Sequence, residues 1–288
     1  MNGAVTPMRR NVLPVLANVL KAWALVLGAC ALLGAIGFAV GGYRLLSILV
    51  FCALLLAGGA YWYSDRVALG LVGARELPLG EAPVLHSTVE RLSAVAGVLK
   101  PRLYLIADGH PRALAAGRGP RASALAVSAG LVSALTPAEL EGVIAHELAH
   151  VRNRDVVVQT SAVVIAAAVV ETSRLGGWLA RALLFVLGPV AAAFVHLLLS
   201  PKREFAADAA AAQLCGSPHG LADALVRLEQ ANELVHFEGS PATEPLYTIN
   251  PFAEEGLAAL FATHPPVADR VRRLRALDPG WREKLRAA

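Results

Sequence analysis

His146, Glu147 and His150 stand in the order His-Glu-Leu-Ala-His. On a helix, residues one turn apart share a face, so both imidazoles can meet one metal ion. Glu147 sits beside them, where it can reach a water on that ion but not easily the ion itself. Two histidine ligands and a carboxylate base form the zinc-protease pattern. In that chemistry an activated water attacks a peptide carbonyl. Glu147 takes the water's proton and returns it to the leaving amine. The chain holds 8 His and 15 Glu in 288 residues, a composition that yields about 0.01 such matches by chance. The ordinary alternative is a solvated helix carrying unremarkable polar residues.

The flanking residues favour a metal helix. Thr136-Pro137-Ala138-Glu139 reads as an N-cap, a proline at the first helical position and a capping-box glutamate. Leu140, Val143, Ile144, Leu148 and Val151 supply an apolar face. The histidines therefore fall in the middle of a well-started helix with a buried side.

Two histidines do not complete a catalytic zinc site, which takes three protein ligands and leaves one position open. Glu204 is the best candidate for the third. It begins a second helical pattern, and Asp208 follows one turn later on the same face. An acid there can accept a hydrogen bond from a ligating histidine and fix its tautomer. The alternative is a solvated acidic face balanced by Lys202 and Arg203. Spacing alone leaves both open.

Around these motifs the chain is 56% hydrophobic, with a mean hydropathy of +0.55, too apolar for an ordinary soluble domain. Ala22 to Val40 and Leu45 to Tyr63 are charge-free runs long enough to span a bilayer, joined by Gly41-Gly42-Tyr43-Arg44. The second ends in Tyr61, Trp62 and Tyr63, residues typical of the membrane interface. Val156 to Val170 and Ala182 to Leu199 are further apolar runs, read as a second spanning hairpin in preference to a pair of core helices. Arg9, Arg10 and Lys21 on one flank of the first hairpin, with Arg66 and Arg75 on the other, outnumber Arg44 in its turn. Both flanks therefore face the cytoplasm. Net charge is only +4, and no aromatic-interleaved basic tract points to nucleic acid. Cys30, Cys52 and Cys215 make no CxxC pair and read as small buried hydrophobes.

Between the hairpins, Pro83 to Leu99 has helical spacing, Leu103 to Ala107 reads as a strand and Asp108 to Pro111 as a turn. His86 and His110 read as surface histidines. Ala124, Leu125, Ala126, Val127 and Ser128 form a second strand directly before the metal helix. As an edge, this strand would pair with an extended substrate through main-chain hydrogen bonds; as an interior strand it would not. Beyond Glu204, His219 to His236 reads as an amphipathic helix. Residues 238–253 read as loop, and a basic helix through Arg270, Arg272, Arg273 and Arg275 follows His264-Pro265-Pro266.

Taken together, HELAHVRNRD, then REFAAD after an apolar hairpin, then FATHPP with Arg270 beyond it, resemble the HtpX-type membrane zinc metalloproteases. The two N-terminal runs match as well. The related CAAX prenyl proteases share these elements in a longer chain with more spans. The resemblance implies one Zn2+ per chain with Glu204 as the third ligand and Asp208 as its support. It places His264 and Arg270 in the substrate cleft, where His264 could help to stabilise the oxyanion. It implies an endopeptidase of the cell inner (cytoplasmic) membrane acting on unfolded or membrane proteins at the cytoplasmic face. The expected fold is mainly α with a small β-sheet, a zincin-like protease anchored by about four transmembrane helices. Its parts are a hairpin over 1–65, a first catalytic segment over 66–155, a second hairpin over 156–199 and a second catalytic segment over 200–288. Two stretches depart from the family pattern. Arg112 to Gly117 stands where the family has an Asn-Ala-Phe-Ala-Thr-Gly-like stretch, and Ser200-Pro201 stands where it has Ser-Arg. Neither removes a metal ligand. The rival readings are a membrane scaffold keeping a structural metal, which has no need of Glu147, and a processing enzyme for lipidated peptides.

Overall fold

The computed structural model describes residues 12–160, 177, 201–234 and 265–278. The first element is helix α1 (Val12–Leu71), which breaks at Gly41 and Gly42. Gly42 has φ 62 and ψ −156, a conformation open mainly to a residue without a Cβ. The two arms fold back closely: a Cβ on Gly37 would lie 2.9 Å from the Cα and N of Leu46. The apolar runs 22–40 and 45–63 thus become the arms of one helical hairpin. Among the described residues no helix is long and apolar enough to cross a membrane. Most of the runs 156–170 and 182–199 lies outside the described residues.

After α1 come β1 (Ala74–Glu76), α2 (Pro83–Ala96), β2 (Arg102–Ile106), β3 (Ala113–Gly119) and β4 (Ala122–Ser128). The strands form one mixed sheet in the order β1-β2-β4-β3. β4 runs parallel to β2, from Arg102↔Ala124 to Ile106↔Ser128. It is antiparallel to β3, from Ala113↔Val127 to Gly119↔Ala122. Ala124–Ser128 is therefore an interior strand, which corrects the edge position expected of a substrate-pairing segment. Ala124, Leu125, Ala126 and Val127 are all buried, and a continuous apolar run is what a strand covered on both faces looks like. The sheet's edges belong to β1 and β3. The short turn between β3 and β4 depends on Gly117, where a Cβ would meet Ala122 O at 2.3 Å.

α2 buries Leu85, Val89, Leu92 and Ala96 and ends at Gly97 with φ 68, a glycine C-cap. His86 lies on the buried face of α2, not on the surface; its Nε2 is 3.0 Å from Pro78 O. A short helix, α3 (Ala129–Ala134), follows β4 directly and is capped by Ser128, whose Oγ accepts from Leu131 N.

α4 (Pro137–Asn153) carries the His-Glu-Leu-Ala-His stretch. Its capping box is present: Glu139 N donates to Thr136 Oγ1 at 3.4 Å and Thr136 N donates to Glu139 Oε2 at 2.7 Å. Val143, Ile144, Leu148 and Val151 are fully buried. The remaining helices are α5 (Pro201–Cys215), α6 (His219–Leu234) and α7 (Val267–Ala276). α4 packs against α2, α5, α6 and β3. Leu92, Leu125, Leu131, Ile144, Leu148, Leu221 and Leu225 fill the core between them, each side chain contributing roughly 1.5–3 kcal/mol by burial.

The crossing of α4 and α6 is set by two glycines. A Cβ on Gly142 would lie 2.5 Å from Leu221 N, and one on Gly220 would lie 2.4 Å from Ala138 O. Both neighbours are backbone atoms and cannot swing aside. Arg227 of α6 then donates through Nε to Glu139 Oε1 at 3.1 Å. Gly142→Ala should force the helices apart and lower stability by about 1–3 kcal/mol, as overpacking does. Thermal unfolding of the full-length protein checks this; an unchanged midpoint would mean that the crossing tolerates a methyl group.

Candidate metal centre

The middle of α4 and the first turn of α5 meet at three side chains. His146 Nε2 and His150 Nε2 are 3.1 Å apart. Glu204 Oε2 lies 3.5 Å from His146 Nε2, and Glu204 Oε1 lies 3.6 Å from His150 Nε2. All three residues are buried. A tetrahedral zinc with bonds of about 2.0–2.1 Å places neighbouring donor atoms roughly 3.3 Å apart. The three separations bracket that value, so the residues present fit zinc in spacing and in donor type.

The electrostatics point the same way. Burial alone would lower the pKa of His150, but the Glu204 and Asp155 carboxylates outweigh it and raise the pKa to about 10. The same two carboxylates favour a cation beside this ring.

Behind His146 stands Asp208, with Oδ1 3.0 Å from Nδ1 of the ring. Asp208 is gripped in turn by Arg270, which donates through Nε to Oδ2 at 2.9 Å and through Nη2 to Oδ1 at 2.7 Å. Burial would raise the Asp208 pKa, but the Arg270 charge and hydrogen bonds outweigh it and lower the pKa to about 2. A depressed carboxylate pKa stabilises the fold above its unfolded value near pH 4, and the contribution fades as the pH falls toward 2.

Arg270 is 0% exposed and lies beside the metal residues, with Nη2 3.4 Å from His146 Nε2. The signal was in the sequence. Val267, Arg270 and Leu274, spaced by three and four, are the buried face of α7, while Arg272 and Arg273 lie off it.

Glu147 is buried between the two histidines in sequence, and its charge helps to hold Arg270 protonated. His264 lies outside the described residues. Ser128 is fully buried, and its Oγ accepts from Arg112 N at 2.9 Å and from Leu131 N at 3.0 Å. It closes a turn, so neither it nor the rest of β4 is placed to pair with a substrate. Asp155 is the residue that spacing hid. Its Oδ2 is 3.1 Å from His150 Nδ1, although a five-residue step on a helix points to a different face.

Residues 80–278 match peptidase family M48. The chain is 38% identical to the protease HtpX homologue of Persephonella marina, over 83% of this chain and 90% of that one. It is 39% identical to the homologue of Pyrococcus abyssi, over 87% of this chain and 93% of that one. The crystal structure of S. mikatae Ste24p superposes with a TM-score of 0.50 at 18% identity, covering 92% of this chain and 67% of that one. That likeness is one of fold.

Removing Arg270 tests its structural position. Arg270→Ala leaves the Asp208 charge buried and uncompensated, a change that typically costs about 3–5 kcal/mol. The expected outcome is a lower unfolding midpoint together with lost zinc. A variant with normal stability and zinc content but a raised KM would instead assign Arg270 to the substrate cleft.

Proposed function

The chain belongs to peptidase family M48 as an HtpX-like zinc metallopeptidase, and from that premise we propose that it is an endopeptidase that binds one zinc per chain and cuts membrane or misfolded proteins at the cytoplasmic face. One observation carries the reading: His146, His150 and Glu204 converge from two helices with the spacing of a three-ligand site, and Glu147 stands next to the first ligand. A purely structural metal is usually closed by four protein ligands and has no use for a neighbouring base.

Zinc, when bound, supplies Lewis-acid polarisation and brings the pKa of a coordinated water toward neutrality. The chain's own residues do the rest. Glu147 accepts a proton from the attacking water and returns it to the leaving amine. Asp208 accepts from His146 Nδ1, which leaves Nε2 of that ring to face Glu204.

The α1 hairpin is the membrane anchor in this reading. Its support is the two long charge-free runs and the large apolar side chains that α1 leaves uncovered, among them Phe51, Leu55 and Trp62, each at least 60% exposed. The runs at 156–170 and 182–199 would add a second hairpin, and the flanking Lys/Arg residues support a cytoplasmic position of the catalytic segments.

Two experiments test the proposal. Glu147→Gln keeps the shape of the side chain but cannot take the proton, so zinc should stay while casein cleavage falls by at least ~100-fold; near-normal cleavage would mean that another base acts. For the anchor, a reporter fused after Arg75 should read as cytoplasmic and one inserted at Gly41-Gly42 as external. Cytoplasmic signals from both would place the hairpin on the membrane surface or off it.

A further inference from the structure

On a continuous helix Asp155 would point away from His150, because five residues turn the chain about 140° off the shared face. The helix does not continue. Arg154 ends α4 in the left-handed region, with φ 61 and ψ 21, while its N–H still reaches the carbonyls of His150 and Val151. Among the described residues only Ala82 and Arg154 hold positive φ without being glycine, and such a conformation at a site is a reason to ask what it achieves.

Here the reversal carries Asp155 back to the ring. Asp155 Oδ2 lies 3.1 Å from His150 Nδ1, and Oδ1 lies 3.2 Å from Arg203 Nε. Arg203 immediately precedes Glu204. The three side chains are 2%, 3% and 11% exposed, so solvent does not dilute the pairing.

We propose that Asp155 and Arg203 are a positioning pair that presets two of the three zinc ligands at once. Asp155 accepts from His150 Nδ1, which leaves Nε2 as the lone-pair nitrogen facing Glu204. Arg203, held by the same carboxylate, fixes the first turn of α5 against the end of α4 and so fixes where Glu204 points. The arrangement repeats the one behind His146: each ring's Nδ1 faces an aspartate, and each aspartate faces an arginine. The two chains interlock through α5, which supplies Asp208 to one, Arg203 to the other, and Glu204 to the metal. The proposal rests on the zinc reading above and adds what sets the ligands' geometry.

The test uses the full-length protein, with zinc affinity measured by competition against a chromophoric chelator and ligand geometry read from the visible spectrum of the cobalt-substituted form. Loss of a carboxylate behind a ligating histidine commonly weakens metal binding about 10–100-fold, and that is the effect expected for Asp155→Asn. Arg203→Gln should weaken zinc in the same direction, and Arg203→Lys should recover part of the loss. Because both residues act through one contact, the double variant should bind no worse than Asp155→Asn alone. The cobalt bands should shift in Asp155→Asn and Arg203→Gln, which a general loss of stability would not produce. If Asp155→Asn does not fold, Arg203→Gln against Arg203→Lys carries the same comparison. Wild-type zinc affinity with an unshifted cobalt spectrum in the Asp155 and Arg203 variants overturns the positioning pair alone. A wild-type protein that holds no zinc overturns the metal reading and the pair with it.

Discussion

The structure depends on compensating charge in a dry interior. Two imidazoles and a carboxylate lie 3.1–3.6 Å from one another with almost no solvent. Groups so placed need fixed partners of opposite sign, because water is not there to screen them. Arg270 supplies one such partner through Asp208, and Arg203 another through Asp155. Breaking a pair of this kind leaves a buried charge, which costs far more than the pair itself contributes. The two ion pairs therefore make the donor cluster tolerable as much as they stabilise the fold.

α5 is where these demands meet. Within six positions it carries Arg203, Glu204 and Asp208, and it packs on both α4 and α7. α4 in turn is held from its other end, where Glu139 closes the capping box and also receives Arg227 of α6. The close crossing at Gly142 and Gly220 fixes the depth at which α4 sits. Ligand spacing is thus a consequence of helix packing: move α5 by an ångström, and Glu204 no longer faces both Nε2 atoms.

Local patterns were legible in the sequence, and pairings across the chain were not. The helix start at Thr136 and the apolar face of α4 follow from capping and periodicity, and the strands read at 103–107 and 124–128 fall within two residues of the observed 102–106 and 122–128. Their neighbours were not legible: the place of β4 between β2 and β3 depends on β3, whose Ala-Leu-Ala-Ala-Gly stretch carries little strand signal. His146 and His150 could be named because they lie one turn apart, whereas spacing left Glu204 open and the resemblance of the three motifs to the HtpX-type proteases named it. Asp155 escaped because a single left-handed residue, Arg154, breaks the helical count. Arg270 sits on a helix rich in arginine, and only its spacing from Val267 and Leu274 marks it as buried.

The central claim is that His146, His150 and Glu204 hold zinc. Zinc-edge X-ray absorption of the purified full-length protein tests it most directly. The account predicts only nitrogen and oxygen neighbours at about 2.0–2.1 Å, four in number, with two showing the outer-shell scattering of imidazole rings. A sulfur neighbour near 2.3 Å, which would bring in a cysteine, or a spectrum unchanged in His150→Ala, would contradict it.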